Sequence, residues 1–255
     1  MSTTRVAVVT GASRGIGEAV ALRLADDGFD VAVNDIPAMA ESLEALVEKI
    51  RQKGRRSLAV TGDVSNENDV KTVVDKVVET LGGLDVMVAN AGTCLLKPVV
   101  ETSIEEYDRV MSVNVKGVFL CFKYAALQMI KQGRGGRIIG ACSLAGKMGV
   151  TNLSVYTASK FAVRGLTQTC ALEWAKHGIT VNSYAPGMIR TPLMMEFSEV
   201  ASEKNLTTGD TLGIGNIPIA EPSVIGELVS YLVKPESHFV SGEWRNLAEV
   251  AIEIG

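Results

Sequence analysis

Histidine and cysteine are scarce in this sequence of 255 residues, which contains two histidines and four cysteines. The cysteines are spread along the chain, at Cys94, Cys121, Cys142 and Cys170. They form no C-x-x-C pair, which excludes a zinc ribbon and a thioredoxin-like site. Two histidines supply too few ligands for most metal centres, so we predict no metal site. We interpret the cysteines as buried free thiols of a reducing compartment.

An excess of positive charge and a long apolar run are also missing. Lys and Arg number 25 against 29 Asp and Glu, a formal net charge of −4. A chain without a basic excess cannot neutralise a phosphate backbone, so we expect no nucleic-acid partner. No unbroken apolar run is long enough to span a bilayer, and the N-terminal residues show no signal pattern. We therefore predict a cytoplasmic protein with no membrane partner.

What the sequence does contain is an alternation of short β-branched runs and amphipathic segments. Such runs predict buried strands, and apolar spacing near 3.6 residues predicts helices. The predicted strands are 5–10, 30–34, 57–61, 85–89, 136–141 and 179–185. The predicted helices are 15–25, 39–53, one that Ser65 caps and that ends at Gly82, one that opens with a capping box of Ser103 and Glu106, and 154–177. This alternation predicts an α/β fold, a single-domain Rossmann doubly wound parallel sheet with helices on both faces.

No linker or shift of composition divides the chain, so we predict one domain over residues 1–255. The least regular stretch is 190–218, where Gly209, Gly213 and Gly215 come late. A long irregular segment inside a compact domain usually has a function or moves. We interpret this stretch as a lid over the substrate.

A glycine-rich loop joins the first predicted strand to the first predicted helix. Glycines let the backbone turn tightly and approach a pyrophosphate, which rests on the helix N-terminus. The loop lies at the first strand-to-helix turn, where this mechanism requires it, although a merely tight turn is the alternative. The loop residues that we predict to contact a dinucleotide are Gly11, Ser13, Arg14, Gly15, Ile16 and Gly17.

The choice between two dinucleotides depends on the residue at the end of the second strand. Asp35 stands there, and an acid at this place binds ribose hydroxyls and repels a 2′-phosphate. Arg14 favours NADP, because its guanidinium could pair with that phosphate. We weigh the acid more heavily and predict NAD, with NADP as the second choice.

Three further residues have side chains that could take part in catalysis. Tyr156 and Lys160 are four residues apart and so share one face of a helix, while Ser143 closes the preceding strand. Alone, each has an ordinary explanation: packing for the tyrosine, a solvated surface for the lysine and a helix cap for the serine. Together with the glycine loop they match a known pattern.

The sequence resembles the short-chain dehydrogenase/reductase family in its short single-domain form. The matching motifs run in family order from residue 10 to residue 191. The resemblance implies a catalytic tetrad of Asn114, Ser143, Tyr156 and Lys160. It also implies these cofactor contacts beyond the glycine loop: Asp63, Val64, Asn90, Ala91, Gly92, Tyr156, Lys160, Pro186, Gly187, Ile189 and Thr191.

The resemblance implies a role for each member of the tetrad. Tyr156 is the general acid in ketone reduction and the general base in alcohol oxidation. Lowering its pKa from about 10 to near 7 needs about 4 kcal/mol, which one positive charge at about 4 Å supplies, so we expect Lys160 to lower it. Lys160 also holds the nicotinamide ribose, Ser143 donates a hydrogen bond to the substrate oxygen, and Asn114 links Lys160 to solvent through water.

Within the family the scaffold is most similar to the acetoin/diacetyl reductase and butanediol dehydrogenase branch, over 140–143 and 160–169. That branch tends to carry polar side chains where this chain has Leu144 and Val150. The predicted substrate pocket consists of Ser143, Leu144, Val150, Tyr156, Met188, Leu193, Met194 and Phe197. We therefore predict oxidation of a secondary alcohol or reduction of a ketone in a more apolar pocket. The alternatives are that these residues only pack the lid of a true diacetyl/acetoin reductase, or that the chain is an idle NAD-binding module.

The C-terminal residues depart from the family pattern as well. Ser241-Gly242 leads to Glu243-Trp244-Arg245 where the family has a short strand that ends in Asp-Gly-Gly. In the family this strand lies near a subunit interface, which puts the usual tetramer in doubt. Two long helices are available for dimerisation, so we predict a homo-oligomer, either tetramer or dimer. Trp244 either fills a pocket or packs at an interface.

Overall fold

A parallel sheet of seven strands runs through the middle of the protein. The computed structural model describes residues 4–203, 207–215 and 218–246. The strands are β1 (Val6–Thr10), β2 (Asp30–Asp35), β3 (Ser57–Thr61), β4 (Val86–Ala89), β5 (Gly136–Ala141), β6 (Ile179–Ala185) and β7 (Trp244–Asn246). Their order in the sheet is β3-β2-β1-β4-β5-β6-β7.

Helices cover both faces of this sheet. In the described residues they are α1 (Gly15–Asp26), α2 (Ala40–Gln52), α3 (Glu67–Leu81), α4 (Ile104–Met111), α5 (Val118–Gln132), α6 (Ser154–Trp174), α7 (Pro192–Glu203), α8 (Thr208–Leu212) and α9 (Ser223–Leu232). Helices α1, α2 and α9 pack on one face, and α3, α5 and α6 pack on the other. Burial on both faces explains the β-branched strands, and the predicted doubly wound fold is confirmed. The single domain over 1–255 stays a prediction.

The sheet reverses its winding direction beside its central strand. From β1 the chain proceeds to β2 and β3 on one side, and then returns to β4 on the other side. Open sheets of this kind bind ligands in the crevice at the carboxyl ends of the strands, at the reversal point. A ligand site is therefore expected at the loops that follow β1 and β4.

The start of α3 differs from the prediction by one residue. Asn66, not Ser65, caps this helix, because the Asn66 side chain accepts hydrogen bonds from the amides of Asn68 and Asp69. The amide of Ser65 donates to Asp63 Oδ1 instead, at 2.8 Å. Both residues are good N-caps by type, so the turn that begins at Asp63 decides between them.

Helices α4 and α5 form one continuous rod over Ile104–Gln132, joined by a π-helical segment over Ser112–Gly117. It opens with the predicted capping box of Ser103 and Glu106. By length and composition alone the rod could cross a membrane, but 50% of its apolar window is buried inside the protein. Since α5 packs on the sheet, we assign the rod to the core of the fold.

The stretch 190–218 is more regular than predicted. It contains α7 and α8, and α8 begins with a capping box in which Thr207 and Asp210 each bond the other's backbone amide. A bridge between Ile189 and Ala220 joins the two ends of the stretch. Its role as a lid stays a prediction. Strand β7 pairs with β6 despite the unusual C-terminal sequence, while the Trp244 side chain and residues 247–255 lie outside the described part.

Candidate active site

The glycine loop lies between β1 and α1, at the reversal point of the sheet. Gly11 and Gly15 have φ angles of +61° and +59°, which side-chain-bearing residues rarely adopt. A Cβ at Gly11 would also lie 2.7 Å from the Cα of Ala91, and a Cβ at Gly17 would collide with the carbonyl oxygen of Gly11. The loop therefore needs glycine at these places for its own geometry.

The beginning of α1 can receive an anion. Arg14 occupies the N-cap position, and among the described residues its side chain makes no capping hydrogen bond. The first amides of a helix carry partial positive charge and have no partner within the helix. This arrangement fits the pyrophosphate of a dinucleotide, while the contacts of Gly15, Ile16 and Gly17 with it stay predictions.

Asp35 lies at the end of β2, directly beside the glycine loop. Its Oδ2 accepts hydrogen bonds from the hydroxyl of Ser13 at 2.6 Å and from the amide of Ser13 at 3.2 Å. Its Oδ1 accepts from the amide of Ile36 at 2.9 Å. Three donors thus hold the carboxylate at the edge of the loop, where a ribose would lie in the predicted arrangement.

The loops after β3 and β4 form the next part of the wall. Asp63 and Val64 line a small cleft together with Thr10. Val64 also packs closely on the π-helical segment, since a Cβ at Gly117 would lie 2.8 Å from its Cγ2. Residues Asn90, Ala91 and Gly92 follow β4, and the amides of Asn90 and Ala91 both donate to Thr10 Oγ1.

Asn114 lies in the π-helical segment and is fully buried. Its Oδ1 accepts from the amide of Thr93 at 2.9 Å, and its Nδ2 donates to the carbonyl of Thr93 at 2.9 Å and to Ser159 Oγ at 3.0 Å. The side chain therefore joins the loop after β4 to α6. A path of water from Asn114 to Lys160 stays a prediction.

Ser143 and Tyr156 meet at the carboxyl end of the sheet. Ser143 follows β5, and Tyr156 lies in the first turn of α6. Burial raises the pKa of Tyr156, the thiol of Cys94 adds to that rise, and the hydrogen bond with Ser143 acts in the opposite direction. A hydroxyl pair of this kind can hold one substrate oxygen between two donors.

Lys160 lies one turn after Tyr156 on α6 and is 3% exposed. Its Nζ donates to the carbonyl of Ala141 at 2.8 Å and lies 5.2 Å from the centroid of the Tyr156 ring. Burial lowers the pKa of Lys160. The expectation that Lys160 lowers the pKa of Tyr156 is wrong for this structure, because burial dominates at the phenol and raises its pKa.

The loop after β6 completes the site. The carbonyl of Pro186 accepts from the amide of Leu144 at 2.9 Å, which joins this loop to the one that carries Ser143. Thr191 Oγ1 donates to the carbonyl of Ile189 at 3.3 Å and accepts from the amide of Met194 at 3.3 Å. Its hydroxyl thereby fixes the beginning of α7.

A cavity of about 110 Å³ opens beside the Ser143 and Tyr156 hydroxyls. It is lined by all eight residues of the predicted pocket, namely Ser143, Leu144, Val150, Tyr156, Met188, Leu193, Met194 and Phe197. Pro186, Gly187, Ile189, Thr191 and Ile16 lie along the same cavity. The structure thus brings the pocket residues together, while their contact with a substrate stays a prediction.

Sequence reasoning missed four lining residues, Ala145, Leu153, Leu212 and Ile214. Leu212 ends α8 and packs with Leu153 and Phe197. The pattern Thr207-x-x-Asp210 was a readable helix start that would have placed Leu212 on an ordered element. Leu153 precedes α6 and Ile214 follows α8, where no periodic pattern marks which side chains point inward.

Comparisons with known proteins establish the family of this chain. The sequence model of the short chain dehydrogenase family matches residues 5–201. A short-chain dehydrogenase/reductase of Armillaria gallica is 47% identical over 97% of this chain and 95% of its own length. The L-2,3-butanediol dehydrogenase of Corynebacterium glutamicum is 36% identical over 94% and 95%.

A solved structure gives the same result. The crystal structure of an NAD⁺-bound xylitol dehydrogenase matches with a TM-score of 0.89 at 31% identity, over 97% of this chain and 99% of the other. The predicted resemblance, including the acetoin and butanediol branch, is confirmed. The chain belongs to the short-chain dehydrogenase/reductase family, whose members are oxidoreductases that act on CH–OH groups.

Proposed function

We propose that this enzyme interconverts a secondary alcohol and a ketone that carries apolar substituents, with NAD as its cofactor. The observation that carries the proposal is the lining of the cavity, in which the polar side chains among the described residues are Ser143, Tyr156 and Thr191. Thr191 is engaged by backbone groups. Two hydroxyls therefore face the substrate, enough for one substrate oxygen.

Each residue of the site has its own role in the transfer of the hydride and the proton. A bound nicotinamide dinucleotide supplies or accepts the hydride. Tyr156 gives its phenolic proton to the substrate oxygen in reduction and takes it back in oxidation. Ser143 donates to the same oxygen and stabilises the charge that develops on it. Lys160 would hold the nicotinamide ribose, and Asn114 keeps the loop after β4 in place against α6.

The carboxylate at Asp35 supports NAD over NADP. Its fixed position beside Ser13 puts a negative charge where a 2′-phosphate would have to lie. The relative solved with NAD⁺ bound agrees with this choice. The remaining predicted contacts, Asp63, Val64, Ala91 and Gly92, belong to the same cofactor crevice. The cytoplasmic location and the lack of a metal stay predictions.

A second candidate is a true diacetyl or acetoin reductase, which the butanediol dehydrogenase relative favours. A vicinal diketone has a second oxygen, and the walls formed by Leu144, Val150 and Met188 offer it no donor. A buried polar group without a partner loses binding energy, so these walls discriminate against the diketone. We therefore place the apolar ketone first.

The test follows NADH oxidation by the purified enzyme with diacetyl and with a bulky apolar ketone under identical conditions. We expect the higher kcat/KM with the bulky ketone. Leu144→Ser should shift the preference towards diacetyl by about tenfold, since it restores a polar group. Faster turnover of diacetyl by the wild type would establish the second candidate.

Tyr156→Phe is the matched control for chemistry. It should abolish turnover of every ketone and leave NADH binding unchanged. In the wild type, reduction should fall at alkaline pH and oxidation should rise, because reduction needs the phenol and oxidation needs the phenolate. Cofactor binding without turnover of any carbonyl by the wild type would point to an idle binding module.

A further inference from the structure

The buried phenol of Tyr184, on β6, has no part in the site described so far. Its side chain is 1% exposed, and its hydroxyl donates to Asn90 Oδ1 at 2.7 Å. A phenol in a protein interior needs a hydrogen-bond partner, because an unpaired polar group there is costly. The partner is a residue two strands away in the sheet, so the contact joins distant parts of the chain.

The register of the sheet explains how this contact forms. Tyr184 pairs with Ala141 of β5, and Gly140 of β5 pairs with Ala89 of β4. Asn90, the next residue, therefore lies level with Ala141. Because Ala141 carries only a methyl group, the phenol passes over β5 and reaches the end of β4. A larger side chain at residue 141 would block the path.

Asn90 connects Tyr184 to the glycine loop through two further hydrogen bonds. Its Nδ2 donates to the carbonyl of Thr10 at 2.8 Å and to the carbonyl of Gly11 at 3.0 Å. These bonds use both amide hydrogens and fix the orientation of the group, with Oδ1 turned towards the phenol. Gly11 begins the tight turn of the loop, so the chain of bonds runs from β6 to the cofactor crevice.

We propose that Tyr184 is a positioning residue for the cofactor: acting through Asn90, it holds the carbonyls of Thr10 and Gly11 and thereby the shape of the glycine loop. The identity of the ligand rests on the proposed function, whereas the effect on the loop does not. Without the phenol, the partly buried Asn90 Oδ1 loses the donor that the structure gives it. The amide is then held only by its two donations to the loop carbonyls, and the loop loses the part of its anchor that reaches β6.

The first test compares Tyr184→Phe with the wild type by titration of NADH fluorescence. We expect the Kd for NADH to rise about tenfold, the size of one lost hydrogen bond at a partly buried acceptor. The kcat at saturating NADH should change less than about twofold, since the phenol touches no reacting atom. The matched control is Tyr231→Phe, which removes an exposed phenol from α9 and should leave the Kd unchanged.

A second readout needs no cofactor. Amide hydrogen exchange over residues 11–17 should become faster in Tyr184→Phe, while exchange in α9 stays at the wild-type rate. Unchanged exchange in the loop would overturn the proposal, even if the melting temperature falls. Should the wild type bind no nicotinamide dinucleotide, the proposed function fails, and the exchange experiment still decides the role of Tyr184.

A double-mutant cycle tests the route through Asn90. Asn90→Asp keeps an acceptor for the phenol but removes both donors to the loop carbonyls. If Tyr184 acts through Asn90, adding Tyr184→Phe to Asn90→Asp should weaken NADH binding no further. Additive losses in the two variants, or a wild-type Kd in Tyr184→Phe, would show that the phenol is only a packing residue.

Discussion

At the scale of single residues, the proposed choice between two similar cofactors depends on one carboxylate. Asp35 is held by the hydroxyl and amide of Ser13 and by the amide of Ile36. Because it cannot swing away without losing these bonds, its charge stays at the edge of the loop. A ribose with free hydroxyls suits this charge, whereas a 2′-phosphate meets repulsion.

Asp35→Ser should therefore raise the affinity for NADPH. We expect the Kd for NADPH to fall by about tenfold relative to that for NADH, the size of one like-charge contact near the surface. Equilibrium titration of both reduced cofactors measures the ratio. Glu44→Ser removes an exposed carboxylate from α2 and serves as the control. A ratio equal to that of the wild type would contradict the assigned role of Asp35.

At the scale of elements, the cavity depends on a junction of three segments. The carbonyl of Asn152 accepts from the amide of Lys97 at 2.8 Å, and the amide of Thr151 donates to the carbonyl of Leu212 at 3.1 Å. The segment before α6 thus holds both the loop after β4 and the end of α8. Asn152 itself has a φ of +61°, a left-handed conformation that asparagine tolerates better than most residues.

Two substitutions at Asn152 separate backbone strain from side-chain contacts. Asn152→Ala should lower the free energy of unfolding by about 1 kcal/mol, because alanine lacks the short polar side chain by which asparagine tolerates the left-handed region. Asn152→Gly should stay close to the wild type, since glycine adopts positive φ freely. Urea midpoints measure both. Equal losses in the two variants would mean that the asparagine side chain, rather than the backbone conformation, stabilises the junction.

At the scale of the whole molecule, the outer surface of α5 and α6 is unusually apolar. Phe119, Leu127, Phe161 and Leu172 are exposed there, the last by 83%. A contiguous apolar patch on a folded protein is typical of an interaction surface. The patch supports the predicted homo-oligomer. In a two-fold symmetric dimer each of these residues would occur twice at the interface.

Leu127→Glu should therefore weaken association, because the symmetric dimer would bury two new carboxylates. Light scattering after size exclusion should give a multiple of the chain mass for the wild type and a smaller mass for this variant, that of one chain if the wild type is a dimer. Gln52→Glu adds the same charge to an exposed position on α2 and should leave the mass unchanged. A wild-type monomer at micromolar concentration would refute the predicted oligomer.

The sequence by itself determined the order of strands and helices from β1 to β6, because hydrophobic period and glycine placement are local properties. Helix α9 and strand β7 were not predicted. It also identified Gly11, Asp35, Ser143, Tyr156 and Lys160, whose spacing follows from strand ends and helical turns. Those residues lie together at one edge of the sheet because parallel strands all end there. Sequence reasoning placed the cap of α3 at Ser65, where two suitable residues stand side by side and only the preceding turn selects Asn66.

Only the tertiary structure decided how distant segments act on one another. The fold raises the pKa of Tyr156 through burial, and burial depends on what packs around the phenol and not on its neighbours in sequence. It brought Leu212 to the cavity and Tyr184 to Asn90 across 94 positions of the chain. Contacts of that kind arise from sheet register and from a small residue at Ala141, and no local pattern encodes them.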